Sequence, residues 1–389
     1  MKNYVNIAII GVGNIGSAHA ASIYGGKVDG LKLVALCDIS EKRRNELVSL
    51  YPDVPVFSDA DSLLKSGLAD AVIIATPHYF HPVIAEKAFQ YGLHVLTEKP
   101  VGVSCATVRT MFQTAQNSGK LFAVMFNQRT NLLFRKAKEI VSSGALGELK
   151  RCVWLITNWY RKQCYYDSGG WRASWDGEGG GVLLNQAPHN LDILQWLCGM
   201  PSAIYARCDE GKYHNIEVED DATVMMRYDS GMSAVFITTT GEYPGTNRLE
   251  ISGTKGKLVI ENGKLTHVSL AIDERDFRLM EESKENPLTV TEIADEKYNG
   301  HLRILQNFAN AILNDEPLIA PAYEGIRELT ISNAAYLSSW LGREISLPMD
   351  DALYERMLTE KRHQSIQMDK HEKRENIQFS YKDRWNTNW

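Results

Sequence analysis

The stretch Asn6-Ile7-Ala8-Ile9-Ile10-Gly11-Val12-Gly13-Asn14-Ile15-Gly16 decides the fold of this chain. The run up to Ile10 is apolar without alternation, as expected of a parallel strand covered on both faces, and Ser17 to Tyr24 beyond it reads as a helix. Strand, tight turn and helix is the setting in which a G-x-G-x-x-G spacing has a mechanism. Gly11 permits the turn and Gly13 lets backbone approach a pyrophosphate. Gly16 lets the helix lie close to the strand while the N–H groups that open it, at Asn14 and Ile15, face the phosphates. Alone, that spacing is a weak signal.

A second apolar strand, Leu31 to Cys37, ends at Asp38, 22 residues after Gly16. A carboxylate there is placed to accept hydrogen bonds from the adenosine ribose hydroxyls and to repel a 2′-phosphate, which favours NAD over NADP. Arg43 and Arg44 are the opposing signal, because a guanidinium pairs well with that phosphate; the opening of a solvated helix from Ser40 to Leu50 explains them equally well. A third buried strand, Ala71 to Ala75, stops at Thr76-Pro77. A helical stretch from Pro82 to Tyr91 leads to the strand Leu93 to Leu96, which ends at Thr97-Glu98-Lys99-Pro100. Strand and helix alternate to residue 125, so residues 1–125 read as an α/β, Rossmann-type domain with a doubly wound parallel sheet. Ligands of such sheets bind beyond the strand C-termini, the edge on which Gly11, Asp38, Thr76, His81 and Lys99 all fall.

With 389 residues the chain exceeds the roughly 250 to 300 at which single cores stop growing, so two domains are expected. No segment approaches the roughly 18 uninterrupted apolar residues of a membrane span. A net charge of −6 offers no basic footprint for nucleic acid. The N-terminus enters its first strand without a basic, apolar and small-residue leader, which reads as cytoplasmic. Six cysteines lie far apart, without the paired spacing of a metal site or a redox dithiol, so thiols are expected and no metal.

Taken together, several motifs resemble the Gfo/Idh/MocA family of oxidoreductases, which includes glucose-fructose oxidoreductase and inositol dehydrogenase. They are the glycine motif, Thr76-Pro77-His78-Tyr79-Phe80-His81, Gly92 to Pro100 with Glu98-Lys99-Pro100, Phe126-Asn127-Gln128-Arg129, and Gly179-Gly180-Gly181 running to His189-Asn190-Leu191-Asp192. The likeness extends to about residue 348. It implies an α+β domain over 126–348 with an open, mostly antiparallel sheet that binds substrate and makes homodimers or homotetramers. It implies a sugar, glycoside or cyclitol as substrate, and Thr76, Pro77, His78, His81, Glu98, Lys99, Gln128 and Arg129 beside the cofactor with the glycine loop, Asp38 and Arg43. Lys99 and His189 would flank the reacting carbon.

Independently of the family, oxidation of a hydroxyl to a ketone needs a group to remove the O–H proton, and an imidazole titrating near neutrality fits that need at His189. Asn185, His189 and Asp192 at i, i+4 and i+7 share one face of a helix expected over Asn185 to Leu197. Many family members carry Asp where this chain has Asn185, so a carboxylate partner for the base is expected to be missing. Asn185 then positions substrate, and Asp192 orients His189 or the substrate. Tyr160, Tyr165, Trp171 and Arg172, with Trp159, Tyr166 and Trp175, read as a clamp stacking on sugar C–H faces; an aromatic core cluster is the competing reading, and Asp167-Ser168-Gly169-Gly170 favours a surface loop.

Strands from Ile204 to about Ile260 suggest the antiparallel sheet, Asp273 to Lys297 reads as an insertion or surface loop, and helices follow at His301–Leu313 and Tyr323–Leu341. Residues 349–389 form a charged, aromatic extension, read either as a solvated helix with a frayed end or as an arm whose Phe379, Tyr381, Trp385 and Trp389 dock on a neighbouring subunit. Three functions compete: a dehydrogenase, with a 3-keto glycoside as one product; an NAD-dependent glycosidase acting through transient oxidation and elimination; and a non-catalytic NAD-binding sensor.

Overall fold

The computed structural model of the protein describes residues 3–168, 170–281, 285–296 and 298–365. The chain divides into two compact units, Met1–Thr130 with Asn299–Leu329, and Asn131–Tyr298 with the chain from Thr330 onward.

The first unit is built on β1 (Val5–Ile10), α1 (Asn14–Tyr24), β2 (Leu31–Cys37), α2 (Glu41–Leu50), β3 (Val56–Phe57), α3 (Ala60–Lys65), β4 (Ala71–Ile74), α4 (Phe80–Gln90), β5 (His94–Thr97), α5 (Cys105–Ser118) and β6 (Phe122–Val124). Among the described residues these strands form one parallel sheet in the order β3-β2-β1-β4-β5-β6. The apolar runs are apolar because both faces are covered: Ile7 to Ile9 in β1 and all of β4 are buried. The order reverses beside β1, between β2 and β4, which is where a doubly wound sheet opens a crevice at its C-terminal edge. Side-chain caps set the helix starts, with Ser40, Asp59 and Ser104 each accepting a backbone N–H of α2, α3 and α5.

The second unit begins with α6 (Leu132–Ser142), β7 (Leu149–Ile156), α7 (Gln163–Asp167), α8 (Val182–Asn185) and α9 (Pro188–Cys198). It continues with β8 (Ala203–Glu210), β9 (Glu219–Arg227), β10 (Ser233–Thr239), β11 (Asn247–Gly253), β12 (Gly256–Glu261), β13 (Lys264–Leu270), α10 (Glu274–Phe277) and β14 (Leu288–Ala294). The segment expected as an insertion between Asp273 and Lys297 therefore holds regular structure. Its Leu-Thr-Val-Thr-Glu-Ile alternation pairs antiparallel with β13 from Leu270↔Leu288 to Lys264↔Ala294. The pattern was faint because an edge strand in which six of seven residues are exposed buries no apolar face.

Asn299–Leu329 returns to the first unit, although a linear division at residue 126 assigns it to the second. Its helix α11 (Gly300–Asn314) buries Ile304, Leu305, Phe308 and Ala309, and Gln306 exchanges two hydrogen bonds with the backbone of Asp29 at 2.9 and 3.0 Å. Periodicity shows that such a helix has an apolar face but not which domain covers it. Helix α12 (Gly325–Leu341) begins in the first unit and passes into the second at Thr330; the second unit then closes with β15 (Ile345–Ser346) and α13 (Asp351–Gln364). Its sheet runs β14-β13-β12-β11-β7-β10-β9-β8-β15, antiparallel except between β7 and β10.

Helix α13 occupies the start of the expected extension, capped by Asp350 and anchored by a fully buried Tyr354 that stacks on Trp340 at 5.6 Å. Phe379, Tyr381, Trp385 and Trp389 lie outside the described residues. All six cysteines are free thiols. Among the described residues no helix is long and apolar enough to cross a membrane.

Candidate active site

The candidate residues divide between the two units. In the first, the three motif glycines have different reasons to be glycine. Gly11 has φ +86°, and a Cβ on it would stand 2.7 Å from the Ala75 carbonyl oxygen; one on Gly16 would stand 2.1 Å from the Gly11 oxygen. The fold itself forbids side chains there. A Cβ on Gly13 would meet nothing within 4 Å, so the space over that residue is kept for something other than the protein. No side chain caps α1 and no acid stands in its first turn, which leaves the positive end of the helix facing that space through Asn14 and Ile15. This cradle fits a dinucleotide pyrophosphate.

Asp38 reaches back to the same loop, accepting from Val12 N–H and Ser40 N–H, each at 2.9 Å. An ionised carboxylate has about four lone-pair sites, so acceptor capacity remains for ribose hydroxyls. Arg43, half-buried, donates to the Val12 carbonyl at 2.7 Å, to Glu46 at 2.6 Å and to the Ser17 hydroxyl, so its guanidinium braces the glycine loop. Ile39, directly after Asp38, is 89% exposed.

Thr76, Pro77, His78 and His81 follow β4, and Glu98 and Lys99 follow β5, on the same edge of the sheet. His81 is buried, with Nδ1 2.8 Å from the Pro100 carbonyl and Nε2 2.7 Å from that of Thr76. Burial pushes its pKa down despite both carbonyls. Its ring lies between the two loops, and in the neutral form its single N–H donates to one of the two carbonyls. Glu98 is likewise an internal group. Its Oε1 is 2.8 Å from His19 Nε2, and the His301 ring lies 5.8 Å from that of His19. Burial opposes ionisation of Glu98, but the His19 hydrogen bond and the nearby His19, His301 and Lys99 charges hold its pKa at about 2. His301 is pushed down to about 4 by burial.

Neither His19 nor His301 was singled out, since their meeting across 282 positions has no local signature. Arg129, expected beside the cofactor, is buried against Phe126 and forms an ion pair with Glu324. Neighbouring Gln128 is buried as well.

In the second unit the glycine run is explained by contact. A Cβ on Gly180 would fall 2.3 Å from the Tyr336 hydroxyl, and one on Gly181 would fall 1.9 Å from the Glu219 carbonyl oxygen. The Glu219 carboxylate accepts from Gly181 N–H, Leu183 N–H and the Tyr336 hydroxyl, each at 2.8 Å, and so holds the start of α8. Burial pushes its pKa up to about 8 even against these three donors.

The single helix expected over Asn185 to Leu197 is two. Helix α8 ends at Asn185 and α9 restarts at Pro188, whose missing N–H and fixed φ suit a first turn and not an interior. Asn185 therefore stands on one helix and His189 and Asp192 on the next. His189, 3% exposed, stands in the first turn of α9. Asp192 is fully buried and accepts from Gln195 at 3.0 Å. A carboxylate that the sequence did not single out stands beside Asn185: Glu178, buried, accepts from the Asn185 amide with Oε1 and from Ala173 N–H, at 2.8 Å, with Oε2.

The aromatic segment splits between its two readings. Trp159, Tyr166 and Trp175 are core, Trp175 packing at 5.3 Å from Tyr336 and 5.4 Å from Trp340. Tyr160, Tyr165, Trp171 and Arg172 keep exposed surface, with Arg172 over the Trp171 ring at 4.4 Å and the Tyr165 ring at 5.1 Å.

Comparison with known proteins places these features. Residues 5–126 match an oxidoreductase family with an NAD-binding Rossmann fold, and residues 134–259 match the GFO/IDH/MocA C-terminal domain. D-glucoside 3-dehydrogenase of Escherichia coli is 26% identical over 88% of this chain and 97% of its own. Myo-inositol 2-dehydrogenase of Thermotoga maritima is 25% identical over 70% and 80%. The WlbA dehydrogenase of Bordetella pertussis, solved with NADH and UDP-GlcNAcA, is 26% identical and superposes with a TM-score of 0.76, covering 89% of this chain and all of that one. The protein is an oxidoreductase with an NAD-binding Rossmann domain. It belongs to the Gfo/Idh/MocA family.

Proposed function

We propose that the protein is an NAD(H)-dependent dehydrogenase that oxidises a secondary hydroxyl of a sugar, glycoside or cyclitol to a ketone, with C3 of a glycoside as the leading position. One observation carries the reading: the open cradle over Gly13 and the ammonium-bearing Lys99 lie on the same C-terminal edge of one parallel sheet. The relatives named as glucoside and inositol dehydrogenases support the substrate class.

Bound NAD supplies the hydride acceptor. Lys99 bonds the reacting hydroxyl and His189 takes its proton, a division suited to an ammonium donor and an imidazole base. Tyr160, Tyr165, Trp171 and Arg172 offer ring faces and a guanidinium to the sugar, and Asn185 positions a hydroxyl. Within the first unit Arg43 holds the glycine loop, His81 the segments after β4 and β5, Glu98 pairs with His19 and Arg129 with Glu324. The exposed face of the nine-stranded sheet, with Tyr205 and Met225 each more than 40% exposed, supports assembly into a homodimer or homotetramer.

The test is purified protein with NAD and a panel of glucosides, inositols and free sugars, followed at the NADH absorbance. Substrate-dependent NADH formation is expected. Release of aglycone without NADH accumulation would replace this reading with the transient-oxidation glycosidase, and NAD binding without turnover would replace it with the sensor.

A further inference from the structure

We infer that His214 is a pH-sensitive latch within the second unit: as an imidazolium it ties the aromatic segment 159–166 to the loop 211–218, and loss of its proton loosens that segment. The latch goes beyond the proposed function. Its consequence for substrate, a weaker hold at higher pH, rests on that reading, which sets Tyr160 and Tyr165 against the sugar.

The His214 ring stands between two acceptors. Its Nδ1 is 2.8 Å from Asp220 Oδ2 and its Nε2 is 2.8 Å from the Arg161 carbonyl oxygen. A neutral imidazole carries one N–H and would turn a lone pair on the other oxygen, whereas the imidazolium donates to both. His81 also lies between two oxygens, but those are backbone carbonyls and burial pushes its pKa down. At His214 one acceptor is a carboxylate. Asp220, whose side chain is fully buried, is aimed by the Lys212 N–H at 3.0 Å and by the Tyr213 and His214 N–H groups at 2.9 Å, and a buried carboxylate calls for a positive partner.

Burial opposes charge on the ring, but the Asp220 hydrogen bond, the Arg161 carbonyl and the Asp220 charge together push the His214 pKa up. Tyr166, whose ring centroid is 4.9 Å away, is kept a neutral phenol by burial. The Arg161 guanidinium lies over the Trp159 and Tyr165 rings, and Lys212 pairs with Asp209 and Asp221.

Arg161 is the point at which the segment is fixed. Its N–H donates to the Thr240 carbonyl at 2.9 Å and its own carbonyl accepts from His214. Two residues on, Gln163 and Asn215 exchange two hydrogen bonds at the exposed surface, at 2.9 and 3.3 Å. When the proton leaves, the remaining N–H stays with the carboxylate, the stronger acceptor, and the Arg161 carbonyl loses its donor. Because the folded pKa is raised, this contribution is complete below the ordinary value of 6.5 and is lost as pH rises through the folded pKa.

The experiment follows the histidine ring signals by NMR against pH, with His214 assigned by its contact with the Tyr166 ring, so that the assignment needs no variant. His214 is expected to titrate above 6.5. Amide protection across 159–166 and 211–218 falls about fivefold through that titration, the worth of one hydrogen bond, while β7 and β11 keep theirs. For the best substrate of the panel KM rises about fivefold over the same range, opposite in sign to the gain in kcat/KM expected as His189 loses its own proton. H214Q has no proton to lose and holds the high-pH KM throughout.

Titration of His214 at or below 6.5, protection unchanged through it, or a pH step in KM that survives in H214Q overturns the latch. A protein that reduces no NAD with any substrate overturns the dehydrogenase reading instead, and titration and protection then decide the latch without it. A latch seen in both with a flat KM overturns the placement of Tyr160 and Tyr165 against substrate.

Discussion

Replacing Gly13 and Gly16 separately by Ala tests the cofactor loop, because the structure assigns the two glycines opposite reasons to be conserved in shape. At Gly13 the new methyl meets nothing, and its φ of −72° is ordinary, although its ψ of −148° costs an Ala about 1 kcal/mol. Reduced freedom of the unfolded chain returns about 0.4–1 kcal/mol, so G13A should unfold within about 2 °C of wild type. Its cost falls on NAD. The methyl occupies the surface a pyrophosphate approaches, and one lost hydrogen bond to a charged oxygen, about 1.5–3 kcal/mol, raises the NAD Kd about 10- to 150-fold.

At Gly16 the methyl would stand 2.1 Å from the Gly11 oxygen, backbone that is itself held against Ala75 and cannot retreat. Overpacking of about 3 kcal/mol lowers Tm by roughly 6–12 °C. The assay pairs thermal unfolding by circular dichroism with NAD titration by tryptophan fluorescence. G13A with wild-type NAD affinity, or with a Tm loss equal to that of G16A, would refute the assignment of the open space to the cofactor.

Lys99→Ala and His189→Ala should each lower kcat/KM about 10²- to 10⁴-fold, with His189→Ala leaving NAD affinity within about twofold; full turnover in either variant removes that residue from the reaction. Glu98 has a depressed folded pKa, so its contribution is present above its ordinary value near 4.5 and is lost as pH falls toward 2. That amounts to about 3 kcal/mol at neutral pH, so the Tm gap between wild type and Glu98→Gln should be widest near pH 6 and shrink toward pH 3. Glu219 is the opposite case. Its pKa is raised, so its contribution is present below 4.5 and is lost as pH rises through about 8. Glu219→Gln, which strands one of three donors at a cost of about 1–3 kcal/mol, should be less stable than wild type at pH 5 and should close that gap by pH 9. A pH-independent gap in either variant would show that the carboxylate is not buried with the partners seen here.

The strands and the glycine turn of the cofactor half were readable because their determinants are local. A buried parallel strand shows as an unbroken apolar run, a turn at φ +86° asks for Gly11, and an acid at the end of β2 must stand beside the loop after β1 once the two strands pair. The break between α8 and α9 is also written in the sequence, as Pro188, although the i, i+4, i+7 spacing around it suits one continuous helix.

What the sequence could not disclose is which buried charge answers which. Glu178 to Asn185, Glu219 to the start of α8, His19 to Glu98 and His301, and Arg129 to Glu324 are pairings set only when distant segments pack. In the unfolded chain, surrounded by water, one carboxylate looks like any other. Only in the folded chain, where desolvation makes an unmatched charge intolerable, does its partner become determined.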